Sequence, residues 1–124
     1  MKKLSLALLM MVCSLVLFAN PIVIPNGIYR YQPPRGSSNY TLHISNGTAR
    51  FYDGNTPQSD LMVYKFDTSD KVLRMYWAKS SRNGEQVGDF VQAWDASLQY
   101  VNGAPALYLK NYSNGGWDMY KRGY

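Results

Sequence analysis

From Asn26 to the C-terminus the chain is a succession of short apolar and aromatic segments. Each is cut off by turn-forming residues before it reaches helical length. Tyr40-Thr41-Leu42-His43-Ile44-Ser45 shows the unit: Tyr40, Leu42 and Ile44 alternate with Thr41, His43 and Ser45. A period of two places those sets on opposite faces of a half-buried strand. Asn46-Gly47 follows. A two-residue type I′ turn needs positive φ at both central positions, and Asn-Gly meets that need with little strain. Thr48-Ala49-Arg50-Phe51-Tyr52-Asp53 then returns as the second arm of a hairpin. Nowhere in this part of the chain does a helical period of 3.6 hold over a long window.

The same logic segments the rest. Ile28–Gln32 reads as a strand before the Pro33–Asn39 loop, whose two prolines remove ladder donors. Gly54–Ser59 is a second loop, and Asp60–Phe66 a further strand. Lys71–Lys79 and Gln86–Trp94 form the most apolar hairpin, joined by a polar turn with Asn83-Gly84. Both faces of its first arm are partly apolar, which suits the middle of a closing sheet. Gly88 predicts a bulge or bend in the second arm, and Trp77 and Trp94 are expected as core anchors. Asp95-Ala96-Ser97 reads as a break before a short strand at Leu98–Val101, and Asn102-Gly103 is another turn signal. Ala106–Tyr112 and Trp117–Arg122 complete the set. About eight short antiparallel strands with turns between them predict an all-β fold, a small up-and-down barrel, with a β-sandwich as the alternative.

Residues 1–19 are excluded from this fold. Lys2 and Lys3 precede an uncharged apolar run from Leu4 to Phe18, and Ala19 offers a small residue before a cut. This is the pattern of a secretory signal peptide. The run is shorter than the roughly 20 residues that span a bilayer. The expectation is a signal peptide at 1–19, cleaved, with residues 20–124 as a single domain and no membrane span thereafter. The one cysteine, Cys13, lies in the leader, so the exported domain is cysteine-free and relies on its core. A cysteine-free exported domain behind a Met-Lys-Lys leader points to a bacterial protein, periplasmic or secreted. Lys2 and Lys3 carry two of the formal +5 charges, leaving a mild +3. The remaining basic residues are scattered, which argues against nucleic acid as a partner.

Catalytic inventory is thin. His43 is the only histidine, and it sits on the polar face of its strand. Cysteine nucleophiles and multi-histidine zinc sites are impossible in the exported domain. Most aspartates lie at strand ends, where Asp favours turns; Asp89 and Asp118 interrupt strands. No cofactor, no metal site and no enzymatic activity are expected. What remains is aromatic surface: Trp77, Trp94, Trp117, Phe51, Phe66, Phe90 and eleven tyrosines. Tyr and Trp combine apolar area with a polar handle, and a barrel mouth is a natural ligand site. The candidate ligand-binding residues are Tyr31, Arg35, Tyr52, Tyr64, Tyr76 and Trp117, with the 33–39 and 54–59 loops framing one end of the barrel.

The tandem hairpin Tyr40–Tyr52, Gly27-Ile28-Tyr29 near the first strand and the closing Tyr120-Lys121-Arg122 resemble small bacterial lipocalin-like domains. Tyr29 stands where lipocalins carry a tryptophan in Gly-x-Trp. The resemblance implies a barrel. Periplasmic lysozyme inhibitors are similar in size, export and eight-stranded build, but usually carry cysteines. The expected function is that of an exported, non-enzymatic binding module of the bacterial envelope. It would bind a small ligand or an envelope protein and act as a monomer. The alternative is a secreted or periplasmic inhibitor or immunity-type protein that blocks an enzyme.

Overall fold

The structure, a computed structural model, describes residues 20–81 and 84–123, with the side chains of 80, 81 and 84–86 left aside. The expected signal peptide at 1–19 lies outside the described residues, as do Arg82 and Asn83 of the long hairpin's turn. No helix occurs among the described residues, so none is long and apolar enough to cross a membrane.

The strands are β1 (Gly27–Gln32), β2 (Tyr40–Ser45), β3 (Thr48–Asp53), β4 (Thr56–Pro57), β5 (Met62–Phe66), β6 (Val72–Ser81), β7 (Gly84–Val101), β8 (Ala104–Lys110) and β9 (Trp117–Arg122). Leaving out β4, each pairs antiparallel with its neighbours in the chain, and β1 also pairs with β9. The sheet therefore closes into an eight-stranded up-and-down barrel, as the turn-punctuated alternation predicts. The two-residue β4 hangs on the end of β3 through Asp53↔Thr56 and Tyr52↔Pro57. Closure removes the free edges that would invite aggregation.

Two turns show why the strands stop where they do. Asn46 and Gly47 have φ of 49° and 82°, and Asn102 and Gly103 have φ of 52° and 81°. Both pairs thus hold the positive φ of type I′ geometry, in the positions where the sequence places Asn-Gly.

The inner face follows the register around the barrel. Tyr29 faces Leu42, Leu42 faces Phe51, Ala49 faces Met62, Tyr64 faces Met75 and Leu73 faces Trp94. Leu98 then faces Leu107, Leu107 faces Tyr120, and Tyr120 faces Tyr31. Tyr29, Leu42, Leu73, Met75 and Leu107 are completely buried. Burial of each such side chain contributes roughly 1.5–3 kcal/mol.

The β3–β5 seam is the weakest in the wall. Only Thr48↔Val63 and Ala49↔Met62 pair there. Other groups cover the remainder. Ile22 N–H donates to Phe66 C=O at 2.6 Å and Thr68 N–H to Asn20 C=O at 3.0 Å, so the N-terminal segment lies along β5. Gln58 N–H donates to Phe51 C=O at 2.8 Å, and Arg50 Nε to Ser59 C=O at 2.8 Å, on the β3 side.

Two expectations about the long hairpin need correction. Asp95–Ser97 is no break: β7 runs through it unbroken. The chain changes partner there, since Asp95 still faces Val72 on β6 while Ala96 faces Leu109 on β8. Buried Ala96 has the small side chain such a handover needs. Trp77 is no core anchor either; it is 38% exposed at the barrel rim, where β6 and β7 run on beyond β5 as a projecting arm. Gly88 does mark a bulge. Tyr76 faces Phe90 but Ala78 faces Val87, so Gly88 and Asp89 together oppose Trp77. A Cβ on Gly88 would stand 2.7 Å from the Trp77 carbonyl oxygen, so glycine is what lets the strands approach.

Candidate functional site

The barrel has two unlike ends. At the end of the 46–47 and 102–103 turns, the N-terminal segment crosses below the core. Ile24 is completely buried, and its N–H donates to the Tyr64 hydroxyl at 2.9 Å. The Tyr29 hydroxyl donates to Pro25 C=O at 2.6 Å. Burial raises the Tyr64 hydroxyl pKa and pushes that of Tyr29 up to about 12; the nearby Arg122 guanidinium partly offsets the latter. Both hydroxyls therefore stay protonated and act as struts. An apolar groove of about 670 Å³ runs beside the crossing segment, lined by Ile22, Val23, Ile24 and Phe66 among others. It is the larger concavity. Its wall is mainly apolar: the Tyr64 hydroxyl is bonded to Ile24, Asn26 and Asn46 bond to each other, and Lys65 and Asp67 complete the polar lining.

The other end is open. Its frame is the 33–39 loop, the segment after β3 and the 111–116 loop. Gly54 N–H donates to Asn39 C=O at 2.9 Å and joins the first two. The third is held by Asn111 N–H to Gly116 C=O at 2.8 Å and Ser113 N–H to Asn111 Oδ1 at 2.9 Å. Within this frame lies a cavity of about 400 Å³ lined by Tyr40, Phe51, Gln92, Trp94, Leu109, Lys110, Asn111, Tyr112, Ser113, Asp118 and Tyr120. That volume is within the roughly 300–1,000 Å³ typical of small-molecule sites.

Alternation explains the lining. Phe51 is the last inward residue of β3 short of Asp53, and Tyr40 the first of β2. Gln92 faces Met75 and Trp94 faces Leu73, so both point inward from β7. Asp118 faces the buried Leu109 and is likewise turned in. Phe51 is the hub of the rings. Its centroid is 5.7 Å from Tyr40, 6.0 Å from Trp94 and 6.4 Å from Tyr120, the last two at 56° and 66°. Tyr31 adds a ring 5.4 Å from Tyr120. Such offset and tilted arrangements suit the quadrupoles of aromatic pairs.

The half-buried Asp118 carboxylate accepts from Asn111 Nδ2 at 3.3 Å. Burial, then the neighbouring Asp118 charge, holds the Tyr31 pKa above the ordinary value. Burial, then Asp53, does the same to Tyr40. Tyr120 is driven up by burial, with Tyr40 and Asp118 next in weight. The hydroxyls around this mouth thus remain neutral donors and acceptors at physiological pH. Among the described residues the one ion pair is Arg74–Asp70, remote from the mouth in the β5–β6 turn. Lys110 faces Trp117 across the outer side of the wall.

The six residues singled out from the sequence do not converge. Tyr31 points into the mouth, and Arg35 is exposed in the 33–39 loop at the same end. Tyr52 lies on the outer face, its ring 4.0 Å from that of His43 and 5.6 Å from the Arg50 guanidinium carbon. Tyr64 is buried at the closed end. Tyr76 is on the outer face, edge-on to Phe90 at 5.7 Å and under the Lys65 ammonium at 5.8 Å. Trp117 is 50% exposed on the outer face beside Tyr108, Ser97 and Gln99. His43 contacts Thr41 Oγ1 at 3.2 Å, and burial lowers its pKa.

The residues that do meet, Tyr40, Phe51, Gln92, Trp94, Asp118 and Tyr120, were absent from that expectation. Their signal is positional. They are inward-facing residues on the stretches of strand nearest the 33–39, 54–59 and 111–116 loops. Trp94, expected as a core anchor, packs on the core and lines the mouth together. Compared with protein-family models, curated proteins and solved structures, the chain matches none of them.

Proposed function

We propose that the protein is an exported, non-enzymatic binding module of the bacterial envelope, lipocalin-like in build, that holds a small ligand in the open end of its barrel. The observation that carries this reading is the contrast between the ends. Tyrosine hydroxyls and Ile24 seal one, while the other keeps a cavity of about 400 Å³ with aromatic walls and a few polar groups at its edge. A site of that kind gains affinity from ring area and orientation from a few polar groups. Gln92, Asn111, Ser113 and Asp118 provide those groups here. The test is a calorimetric screen of small saccharides and aromatic fragments against the purified protein, repeated with Trp94→Ala. Binders that lose most of their affinity in the variant support the reading. Binders indifferent to Trp94→Ala, or none from the whole screen, oppose it. Export is tested by mass spectrometry of the protein recovered from the envelope. Cleavage predicts Asn20 as its first residue; an intact N-terminus opposes cleavage.

One observation favours a second reading, a protein partner engaged in the manner of an enzyme inhibitor or immunity protein. The β6–β7 arm carries Trp77, Val87 and Phe90 at 38%, 43% and 57% exposure. Aromatic residues on a projecting element are what interface hot spots are made of. Capture of an envelope enzyme that is lost in Phe90→Asp and kept in Trp94→Ala favours this reading over the mouth.

A further inference from the structure

We propose that the mouth, taken as the ligand site argued above, selects an organic cation: a compact alkylammonium group seated against Phe51, Trp94 and Tyr120 with Asp118 as its counter-charge.

Ring geometry comes first. Tyr120 and Trp94 stand at 66° and 56° to Phe51, and Tyr40 lies nearly parallel to it at 27°. All four rings line the same cavity, at differing tilts. A cation within about 6 Å of a ring centroid is attracted by the negative face of the π-system, most strongly once it is desolvated. Compact quaternary ammonium groups suit such walls because they carry charge without hydrogen-bond donors.

Charge is the second observation. Asp118 faces the buried Leu109 on the inner side of the wall and is half-buried. It accepts from the neutral Asn111 amide at 3.3 Å and lies beside the neutral Tyr31 hydroxyl, and among the described residues no cation lies within ion-pair distance of it. A half-buried carboxylate without a counter-ion attracts a nearby cation more strongly than one in bulk water. An incoming cation supplies the missing partner. The tyrosines beside it, Tyr31 and Tyr120, are neutral donors and acceptors and bring no positive charge. Lys110 belongs to the rim, but it faces Trp117 on the outer side of the wall. The outer-face dish of Trp117, Tyr108, Ser97 and Gln99 lacks a carboxylate. The closed-end groove, where Asp67 lies near Tyr64 and Phe66, has those two rings against Tyr40, Phe51, Trp94 and Tyr120 at the mouth, and carries Lys65 in the same lining.

The probes are choline chloride and 3,3-dimethylbutan-1-ol, its neutral isostere with carbon in place of the ammonium nitrogen. Each is titrated calorimetrically into the purified protein. The expected result is a preference for choline of about tenfold or more, the scale of one to two cation–π contacts plus a counter-charge. Asp118→Asn should remove about tenfold of choline affinity and leave the alcohol unchanged, while Asp118→Glu retains the preference. Phe51→Leu keeps an apolar side chain of similar reach without a ring. It should erase most of the preference, and it serves as the second variant if Asp118→Asn does not fold. Equal binding of the two probes overturns the cation assignment while leaving a ligand mouth in place. Choline binding unchanged by both Asp118→Asn and Phe51→Leu also overturns it. If neither probe binds, the cation assignment fails, and the wider ligand reading is then judged by the fragment screen with Trp94→Ala.

Discussion

At the closed end of the barrel, the hydroxyls of the buried Tyr64 and Tyr29 are tied to backbone. Tyr64 binds Ile24 and Tyr29 binds Pro25, and the residues above them are completely buried. At the open end the same residue type is arranged differently. Tyr31, Tyr40 and Tyr120 gather their hydroxyls near carboxylates, and the rings behind them line a cavity. The difference teaches how a tyrosine-rich barrel divides its work. Satisfied hydroxyls stabilise the closed end; on the ligand reading proposed above, those at the open end are the ones left for a partner.

That contrast can be broken in several places, most severely in the core. Leu107→Ala or Leu73→Ala removes a completely buried side chain and is expected to cost about 2–5 kcal/mol in denaturant unfolding. Trp94→Leu at the mouth should cost clearly less, because Trp94 is only half-buried. Equal losses at the two positions would erase the distinction between packed wall and site.

Gly88→Ala comes next. Its new Cβ would meet the Trp77 carbonyl oxygen at 2.7 Å, and backbone cannot step aside cheaply. A destabilisation of about 1–3 kcal/mol is expected, read as a lowered denaturation midpoint. An unaffected midpoint would mean that the arm is uncoupled from the barrel.

Tyr64→Phe should cost about 1 kcal/mol, the usual scale of a buried hydrogen bond. Tyr40→Phe at the mouth should be nearly neutral for stability. The pair thus compares a tied hydroxyl with one left for a ligand.

The alkaline limb tests the struts again. The folded-state pKa of Tyr29 is raised to about 12 against an ordinary value of 10.0. The folded protein therefore binds more protons than the unfolded chain between these values. Its contribution is fully present below about pH 10 and is lost as pH rises towards 12. Tyr64 and Tyr120, also raised, act in the same sense. The melting temperature should fall steeply above pH 10 and less steeply in Tyr29→Phe. A slope identical in the two proteins would contradict the role given to Tyr29.

Much of the fold is legible in the sequence because it rests on local chemistry. The Asn46-Gly47 and Asn102-Gly103 turns hold positive φ where the pairs require it. The alternation of Tyr40, Leu42 and Ile44 marks the inner face of β2. Gly88 marks the bulge. The continuity of β7 is not legible, because Asp95-Ala96-Ser97 carries turn-like composition, and only the handover from β6 to β8 explains it. The site is harder still. Tyr31, Tyr52, Tyr64 and Tyr76 are equivalent as residue types, and which of them faces the mouth depends on barrel closure. Tyr52 and Tyr76 fall on the outer face and Tyr64 at the far end. Asp118 is a partial exception: like Asp89 it interrupts a strand in sequence, but only closure shows that it is the one turned into the mouth.

The most direct measurement is a ¹H–¹⁵N NMR titration of the purified protein with choline, following the tryptophan indole and backbone amide signals together. A ligand mouth at the open end predicts that Trp94 shifts with Phe51, Gln92, Asp118 and Tyr120, while the Trp77 and Trp117 indoles and the Ile24 amide stay still. Shifts centred on Trp117 and Tyr108, or on Val23 and Ile24, would place binding elsewhere and contradict the division of the barrel into a sealed end and a receptive one.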